Sequence, residues 1–234
     1  MEKKFVWFDL GYTLFYQQRE DVYQQFLAEN GIYISLEKIE RAYHLTDKYF
    51  MREYPSVLGK DVQTFYPWYL GVLNFKLGLH FHLSRQSERM LVMKKPIEQW
   101  RPFAFVNSVL TKLKRHSYGL GVISNWDHSA RELLERHHLT AYFDHIIISS
   151  EVGVEKPDAA IFEIALKDAG VSGEECIYVG DNYYDDVVGS SKVGMKALLI
   201  NRFNQEGIEE IRYPHTIRSI EEVPDLLNKM DLLL

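Results

Sequence analysis

The 234-residue chain has a single cysteine and no long hydrophobic run. Because one thiol cannot close a disulfide within the chain, Cys176 excludes the small disulfide-held folds and fits a reducing compartment. No run of strictly apolar residues exceeds four, as in 5–8 and 197–200, whereas a membrane-spanning helix needs about 20. The N-terminal segment reaches Asp9 and Gly11 before the apolar core of a secretory signal could form. We therefore expect a cytoplasmic protein with no membrane partner.

Basic residues are also few: 27 Lys and Arg stand against 33 Asp and Glu, which gives a formal net charge of −6. Binding to a nucleic-acid backbone requires a basic face, so we expect no nucleic-acid partner. Hydrophobic residues make up 46% and charged residues 26% of the chain. This composition is that of an ordinary globular protein and excludes disorder and fibrous repeats. The length allows one large domain, or a core with an inserted unit.

Short apolar segments alternate with helix-like segments along most of the chain. The predicted strands are near-continuous apolar runs, which is typical of strands covered on both faces. They lie at 4–9, 118–124, 145–149, 176–180 and 196–200, with a sixth candidate at 215–220. Helices are predicted between them at 105–113, 129–138 and 158–169. This alternation predicts a parallel α/β sheet with helical crossovers.

The stretch 16–96 departs from that pattern, because it contains no convincing strand. Apolar residues recur in it at intervals of three and four, which indicates amphipathic helices. The segment 65–79 is apolar nearly all round and is predicted to be the most buried helix of this region. Pro96 and Pro102 mark the return to the α/β pattern. The sequence thus predicts a core formed by 1–15 and 97–234, interrupted by a helical unit.

Polar residues follow the predicted strands at the edge where an open α/β sheet binds its ligands. They are Asp9 and Thr13 after the first strand, Ser124 and Asn125 after the second, Lys156 after the third, and Asp181, Asp185 and Asp186 after the fourth. Carboxylates that converge repel each other unless a cation lies between them, and an all-oxygen site suits Mg²⁺. A hydroxyl, a lysine and backbone amides remain available to hold an anion.

Four segments carry a resemblance to a known family. DLGYT at 9–13, ISN at 123–125, EKP at 155–157 and GDNYYDD at 180–186 resemble, in order and spacing, the four motifs of the haloacid dehalogenase superfamily. The resemblance implies a Rossmann-like, three-layer core with an all-helical type 1 cap inserted at 16–96. Details of the second and fourth motifs are especially similar to the Mg²⁺-dependent phosphatase branch. The implied substrate is a small phosphorylated metabolite.

The resemblance also implies a role for each matched residue. Asp9 is expected to be the nucleophile that forms an aspartyl-phosphate. Ser124 and Lys156 are expected to share in catalysis by stabilising the phosphoryl group. The expected phosphate-binding residues are Ser124, Asn125, Lys156 and Tyr12. The expected Mg²⁺ ligands are Asp9, the backbone carbonyl of Gly11, Asp181 and Asp185, with Asp186 as the alternative to Asp185.

Gly11 departs from the phosphatase pattern, which places an acid/base aspartate at this position. Such a group contributes about 10²–10⁴-fold to the rate, so three interpretations stay open. The chain is a weak phosphatase that uses good leaving groups or another donor such as Tyr12, a phosphate-binding protein without turnover, or a 2-haloacid dehalogenase. Dehalogenases resemble SSN where this chain has Gly180–Asp181–Asn182. Asp181 therefore favours the metal-dependent phosphatase.

Overall fold

The computed structural model describes residues 4–93 and 100–231 of the chain. Two compact units are formed: Met1–Tyr16, Arg101–Asn204 and Arg212–Leu234 make up unit 1, and Gln17–Trp100 with Gln205–Ile211 make up unit 2. The predicted core includes 205–211, whereas the structure groups this segment with the helical unit. The predicted boundary at 96/97 and Pro96 lie outside the described residues.

The described residues form eight strands in two sheets. They are β1 (Phe5–Phe8), β2 (Phe15–Gln17), β3 (Trp100–Pro102), β4 (Gly119–Ser124), β5 (His145–Ile148), β6 (Cys176–Gly180), β7 (Lys196–Ile200) and β8 (Thr216–Ile217). The main sheet has the order β5, β4, β1, β6, β7, β8, and its neighbours are parallel. This confirms the predicted α/β class. β2 and β3 form a separate two-stranded sheet that the sequence did not predict.

The centre of the main sheet is fixed by Trp7, which is fully buried on β1. Its backbone pairs in register with Gly121 on one side and Tyr178 on the other. A Cβ atom at Gly121 would lie 2.3 Å from the indole ring, so glycine is required there for the ring to cross the neighbouring strand. The ring of Phe5 stacks on Trp7 with centroids 4.5 Å apart. These contacts hold the two strands whose ends carry Asp9 and Ser124.

The part of unit 2 that the structure describes contains four α-helices around an aromatic core. They are α1 (Arg19–Glu29), α2 (Leu36–Glu53), α3 (Val62–Leu77) and α4 (Leu83–Met93). The prediction that 65–79 is the most buried segment is wrong, since Phe75 is 79% exposed and Trp68 39% exposed. More side chains of α2 than of α3 are buried. Apolar character shows that a face can be buried, but a partner element is needed to bury it.

The helices of unit 1 flank the main sheet. They are α5 (Val106–Arg115), α6 (Ser129–Arg136), α7 (Ser149–Val152), α8 (Ala159–Ala169), α9 (Val188–Ser191) and α10 (Val223–Asp231). The three predicted crossover helices correspond to α5, α6 and α8. α8 begins where Asp158 accepts a hydrogen bond from the Ala160 amide at 2.9 Å. Within the described ranges, no helix is long and apolar enough to span a membrane.

A buried ion pair ties three helices of unit 2 together. Arg19, only 9% exposed, donates through both terminal nitrogens to Asp47, with Nη1 3.0 Å from Oδ1. The Tyr69 hydroxyl donates to the same Oδ1 at 2.6 Å. The guanidinium carbon lies 4.4 Å from the centre of the Tyr43 ring. α1, α2 and α3 are therefore linked by charges that can be buried only while they remain paired.

We predict that Asp47→Ala destabilises unit 2 by about 3–5 kcal/mol, because it removes the two-point partner of the buried Arg19 guanidinium and leaves only Glu20, 3.3 Å from Nε, as a counter-ion among the described residues. Chemical denaturation followed by circular dichroism measures the change. The matched control is Glu29→Ala, which breaks the exposed pair between Glu29 and Arg89 and should hardly alter the curve. Equal effects of the two substitutions would contradict a structural role for the buried pair.

Candidate active site

The site begins at Asp9, directly after β1. Its amide donates to the Val179 carbonyl at 2.9 Å, which anchors the start of the loop to β6. The chain then turns tightly, with the amides of Leu14 and Phe15 both 2.9 Å from the Leu10 carbonyl. Tyr12 takes a left-handed conformation in this turn, with φ of 53°. The turn therefore holds the Asp9 carboxylate at the carboxyl edge of the sheet.

Gly11 and Thr13 belong to the same turn. Gly11 forms an isolated bridge with Phe15, and its φ is not positive. Thr13 is 1% exposed, and its hydroxyl oxygen has no hydrogen-bond partner among the described residues. The turn thus carries a buried hydroxyl but no side chain at the position where the resembling phosphatases carry an acid.

One oxygen of Asp9 is held by two donors from other strands. The Ser124 hydroxyl, at the end of β4, donates to Asp9 Oδ1 at 2.7 Å. The Lys156 ammonium lies 3.1 Å from the same oxygen. Asp9 is therefore in direct contact with Ser124 and Lys156, the other two residues that are predicted to act in catalysis. Since both donors address Oδ1, the second oxygen, Oδ2, is the one left to face a ligand.

Asn125 holds the loop that carries Lys156. Its side-chain amide donates to the Lys156 carbonyl at 2.9 Å and accepts from the Lys156 amide at 2.7 Å. Asn125 was predicted to bind phosphate, but in the structure both ends of its side chain contact backbone. These two hydrogen bonds fix the backbone of Lys156 in its loop and so position the ammonium group.

The Lys156 side chain is almost completely buried, at 2% exposure. Its ammonium lies 2.6 Å from Asp186 Oδ1 and 2.9 Å from the Tyr178 hydroxyl. Tyr178, on β6, donates in turn to the Ile123 carbonyl at 2.7 Å. Burial alone lowers the pKa of Lys156, but the negative charges of Asp186 and Asp9 outweigh it and raise the pKa well above its ordinary value. The ammonium therefore stays charged at neutral pH.

Asp186 reaches the site because the chain after β6 forms a π-helical turn at Tyr183–Val187. Its Oδ2 accepts a hydrogen bond from the Asn182 amide at 2.9 Å. A Cβ atom at Gly180 would lie 2.1 Å from that oxygen. The glycine of the motif is therefore required for the carboxylate to pack against the end of the strand.

Three carboxylates meet at the site, those of Asp9, Asp181 and Asp186. One oxygen of each lies within 4.8 Å of the others. The predicted member of this group is Asp185, with Asp186 as the alternative. The structure places Asp185 beside it, where Oδ2 accepts from the Asn182 side chain at 2.8 Å. A π-turn is wider than an α-turn and so changes which of two consecutive residues faces inward. The spacing of residues in the sequence does not reveal such a turn.

Asp185 is nevertheless part of the same acidic environment. Its Oδ1 is buried and accepts no hydrogen bond from any residue in the described part of the chain. Burial first, and then the charge of Asp186, raise the pKa of Asp185 to about 7. A buried carboxylate oxygen without a donor is costly. The donor set is therefore one that a divalent cation suits.

Tyr178 is the site residue that sequence analysis missed. It lies inside the apolar run that is predicted as a strand at 176–180, and it is fully buried. The available signal was a hydroxyl within a strand that is otherwise apolar, since a buried hydroxyl needs a partner. The Tyr178 hydroxyl accepts a hydrogen bond from the Lys156 ammonium and donates one to the Ile123 carbonyl of β4.

The site is a cluster of carboxylates at the carboxyl edge of a parallel α/β sheet, and the Lys156 ammonium neutralises part of its charge. A family model described as haloacid dehalogenase-like hydrolase matches residues 8–200. The chain belongs to the haloacid dehalogenase-like hydrolase family.

Curated relatives cover this chain to different extents. The haloacid dehalogenase-like hydrolase domain-containing protein 3 of Danio rerio is 28% identical over 94% of this chain and 95% of its own length. The glyceraldehyde 3-phosphate phosphatase of Methanothermobacter thermautotrophicus is 41% identical over 43% of this chain and 45% of its own length. The pyrimidine 5'-nucleotidase YjjG of Escherichia coli is 36% identical over 47% and 50%. The chain thus matches only about half the length of these two enzymes.

Two solved structures resemble the whole fold equally well. A HAD phosphatase from Thermococcus onnurineus superposes with a TM-score of 0.58 and 25% identity, covering 96% of this chain and 97% of that one. A 2-haloacid dehalogenase from Pseudomonas syringae pv. Tomato DC3000 gives 0.57 and 25%, covering 98% and 100%. Overall similarity therefore does not separate the two chemistries, and the site residues have to decide between them.

We predict that Gly180→Ala displaces Asp186 and breaks its buried pair with Lys156. The expected cost is about 3–5 kcal/mol of stability, the usual penalty for uncoupling a buried ion pair. Thermal unfolding measures it. Gly59→Ala is the control, since a Cβ atom there meets nothing within 4 Å and its φ is not positive. A Gly180→Ala protein as stable as this control would show that Asp186 does not depend on the close approach.

Proposed function

We propose that the chain is a Mg²⁺-dependent phosphatase that acts on a small phosphorylated metabolite through an aspartyl-phosphate at Asp9. The observation that carries the proposal is the geometry around Asp9, whose Oδ1 is held by Ser124 at 2.7 Å and Lys156 at 3.1 Å. A carboxylate fixed by one oxygen presents the other to an electrophile in a defined direction. The curated relatives named as a phosphatase and a nucleotidase support the same reaction class.

Charge at the site fits attack on a phosphoryl group. Phosphoryl transfer needs positioning and compensation of negative charge more than covalent help from the protein. The Lys156 ammonium touches Asp9 and stays protonated, so it stabilises both the nucleophile and the transferred group. Ser124 and Tyr12 lie at the same edge and are proposed to contact phosphate oxygens. Asn125 is proposed to act through Lys156, whose backbone it holds.

The carboxylates fit a divalent cation. Asp9, Asp181 and Asp186 offer oxygens within 4.8 Å of each other, and we propose that they would hold Mg²⁺ with the Gly11 carbonyl. Asp185, whose buried Oδ1 has no donor in the described chain, is proposed to complete the shell around the ion. When bound, Mg²⁺ polarises phosphoryl oxygens and offsets their charge. Lys156 alone cannot neutralise three carboxylates, which is a further reason to expect a cation.

Gly11 determines which substrates we expect. Without an acid in this turn, a leaving group must depart with little protonation. Acyl phosphates and aryl phosphates have stable leaving groups, whereas alkyl phosphates do not. We therefore propose weak turnover that favours acetyl phosphate and p-nitrophenyl phosphate. The missing acid corresponds to a loss of about 10²–10⁴-fold in rate for demanding substrates.

The same residue favours one alternative function, a phosphate-binding protein without turnover. In that case phosphate and Mg²⁺ bind to the cluster around Lys156, as calorimetry would show, but no ester is hydrolysed. A 2-haloacid dehalogenase is the other alternative and would release halide from 2-chloropropionate without added metal. Asp181 argues for the cation-dependent reaction, because it adds a third carboxylate to a cluster in which Lys156 offsets the charges of Asp9 and Asp186 only in part.

Asp9→Asn is expected to lower kcat for acetyl phosphate by at least about 10³-fold, since the variant retains the shape of the site but lacks the nucleophile. A discontinuous phosphate assay with Mg²⁺ measures the loss. Asp21→Asn, an exposed aspartate on α1, is the matched control and should retain full activity. Turnover that survives Asp9→Asn would reject Asp9 as the nucleophile.

Gly11→Asp is expected to raise turnover of alkyl phosphates by about 10²-fold or more, because it supplies the missing proton donor. The backbone permits the change, as φ at Gly11 is outside the left-handed region. The measurement compares kcat/KM for glycerol 3-phosphate and acetyl phosphate, and the gain should be larger for the former. Gly11→Asn, which has the same shape without the acid, is the control. An equal gain for both variants would mean that proton donation is not what limits the enzyme.

A further inference from the structure

The segment that leads to Lys156 starts directly after β5. The pair of β4 and β5 ends where Ser124 lies in register with Ile148, so Asn125 and Ser149 leave the sheet side by side. Lys156 comes seven residues after Ser149, past the short helix α7. Asn125 holds the far end of this segment by its two hydrogen bonds to the Lys156 backbone. The near end, at Ser149, belongs to none of the four motifs.

The Ser149 hydroxyl binds the backbone of the residue that follows Asn125. It accepts a hydrogen bond from the Trp126 amide at 3.1 Å and donates one to the Trp126 carbonyl at 3.2 Å. The Ser150 amide donates to the same carbonyl at 3.3 Å. A hydroxyl can donate and accept at the same time. One oxygen atom therefore continues the hydrogen bonding between the two chains beyond the end of the strand pair.

Asn125 and Ser149 thus join the two segments at two separate places. The side chain of Asn125 binds the backbone at Lys156, and the side chain of Ser149 binds the backbone at Trp126. Because Trp126 is the direct neighbour of Asn125, a displacement at one place is passed on to the other. The start of the loop after β4 and the segment after β5 therefore move as one hydrogen-bonded block.

This block carries both groups that contact Asp9 Oδ1, the Ser124 hydroxyl at 2.7 Å and the Lys156 ammonium at 3.1 Å. Catalysis by positioned groups is sensitive to distance, and a displacement of about 1 Å can lower a rate by about 10²-fold. We propose that Ser149 is a positioning residue of the phosphatase reaction, which acts through the Trp126 backbone to keep both donors in place. This inference rests on the proposed function and adds to it a residue outside the site itself.

Ser149→Ala tests the proposal, because it leaves the Trp126 amide without this acceptor. We expect kcat for acetyl phosphate with Mg²⁺ to fall by about tenfold or more, whereas KM changes little, since misplaced donors weaken the transition state more than substrate binding. Ser149→Thr retains the hydroxyl and should restore kcat. Glu151→Gln is the control on the same helix, since it breaks the surface pair of Glu151 with Arg131 and should leave kcat unchanged. Circular dichroism establishes the folded fraction of each variant, to which kcat is referred.

A second measurement does not depend on turnover. The chain has four tryptophans, and labelling with 5-fluorotryptophan gives each of them its own fluorine resonance in NMR spectra. The resonance that Trp126→Phe removes is that of Trp126. We expect Ser149→Ala to shift or broaden this resonance, and we expect Ser149→Thr and Glu151→Gln to preserve it.

Full kcat in Ser149→Ala, a loss that Ser149→Thr does not restore, or an equal loss in Glu151→Gln would each overturn the proposal. Acetyl phosphate turnover by the unsubstituted chain separates the two levels. Turnover that survives Ser149→Ala rejects the role of Ser149 alone. If the unsubstituted chain has no turnover, the phosphatase reaction is rejected and the fluorine spectrum decides. An unchanged Trp126 resonance in Ser149→Ala then rejects positioning by Ser149 as well, and a changed one supports it.

Discussion

Carboxylates that converge at the ends of neighbouring parallel strands repel each other, and the Lys156 ammonium is the only cation that the chain itself places among those of the described site. Nearly every polar contact there serves this one charge. Tyr178 fixes it from β6, Asn125 holds its backbone, and Gly180 leaves the space in which Asp186 can reach it. Because a buried charge is tolerated only while its partners stay in place, strand register and loop conformation are both tied to this centre.

The elements that depend on hydrophobic periodicity and composition could be predicted from the sequence. The residue positions that depend on the geometry of a single turn could not. Continuous apolar runs identified the strands of the main sheet, and most of the polar residues that follow them lie together at the candidate site. The choice between Asp185 and Asp186 depends on a π-turn, which leaves no periodic signal in five residues. The sequence indicates only that Tyr178 is buried in a strand. It does not show that a buried tyrosine also forms hydrogen bonds within the site. The exposed Phe75 on α3 shows the converse, since apolar residues need a partner surface to be buried.

Gly11 separates two parts of the chemistry that usually occur together. The groups that bear charge are all present: Lys156 contacts Asp9 and Asp186, and Asp181 offers an oxygen within 4.8 Å of theirs. In the reaction proposed above, the group that would donate a proton to the leaving group is missing from the turn after Asp9. Under that proposal the site retains electrostatic stabilisation, which is commonly the larger share of catalysis, and depends on the substrate for the rest. The nearly equal TM-scores with a HAD phosphatase and with a 2-haloacid dehalogenase show that one fold carries both kinds of protein.

The segment Gln205–Ile211 has a consequence for how the two units can be exchanged or separated. It follows β7 in the chain yet belongs to unit 2, where Glu206 pairs with Arg41 at 2.8 Å and its carbonyl lies 2.9 Å from His44 Nε2. The chain therefore crosses between the units at four points, after residues 16, 100, 204 and 211. Removing the helical insert as one piece would leave behind the short segment that packs on α2. To replace unit 2, by recombination or by design, both Gln17–Trp100 and Gln205–Ile211 must be exchanged for segments that match each other.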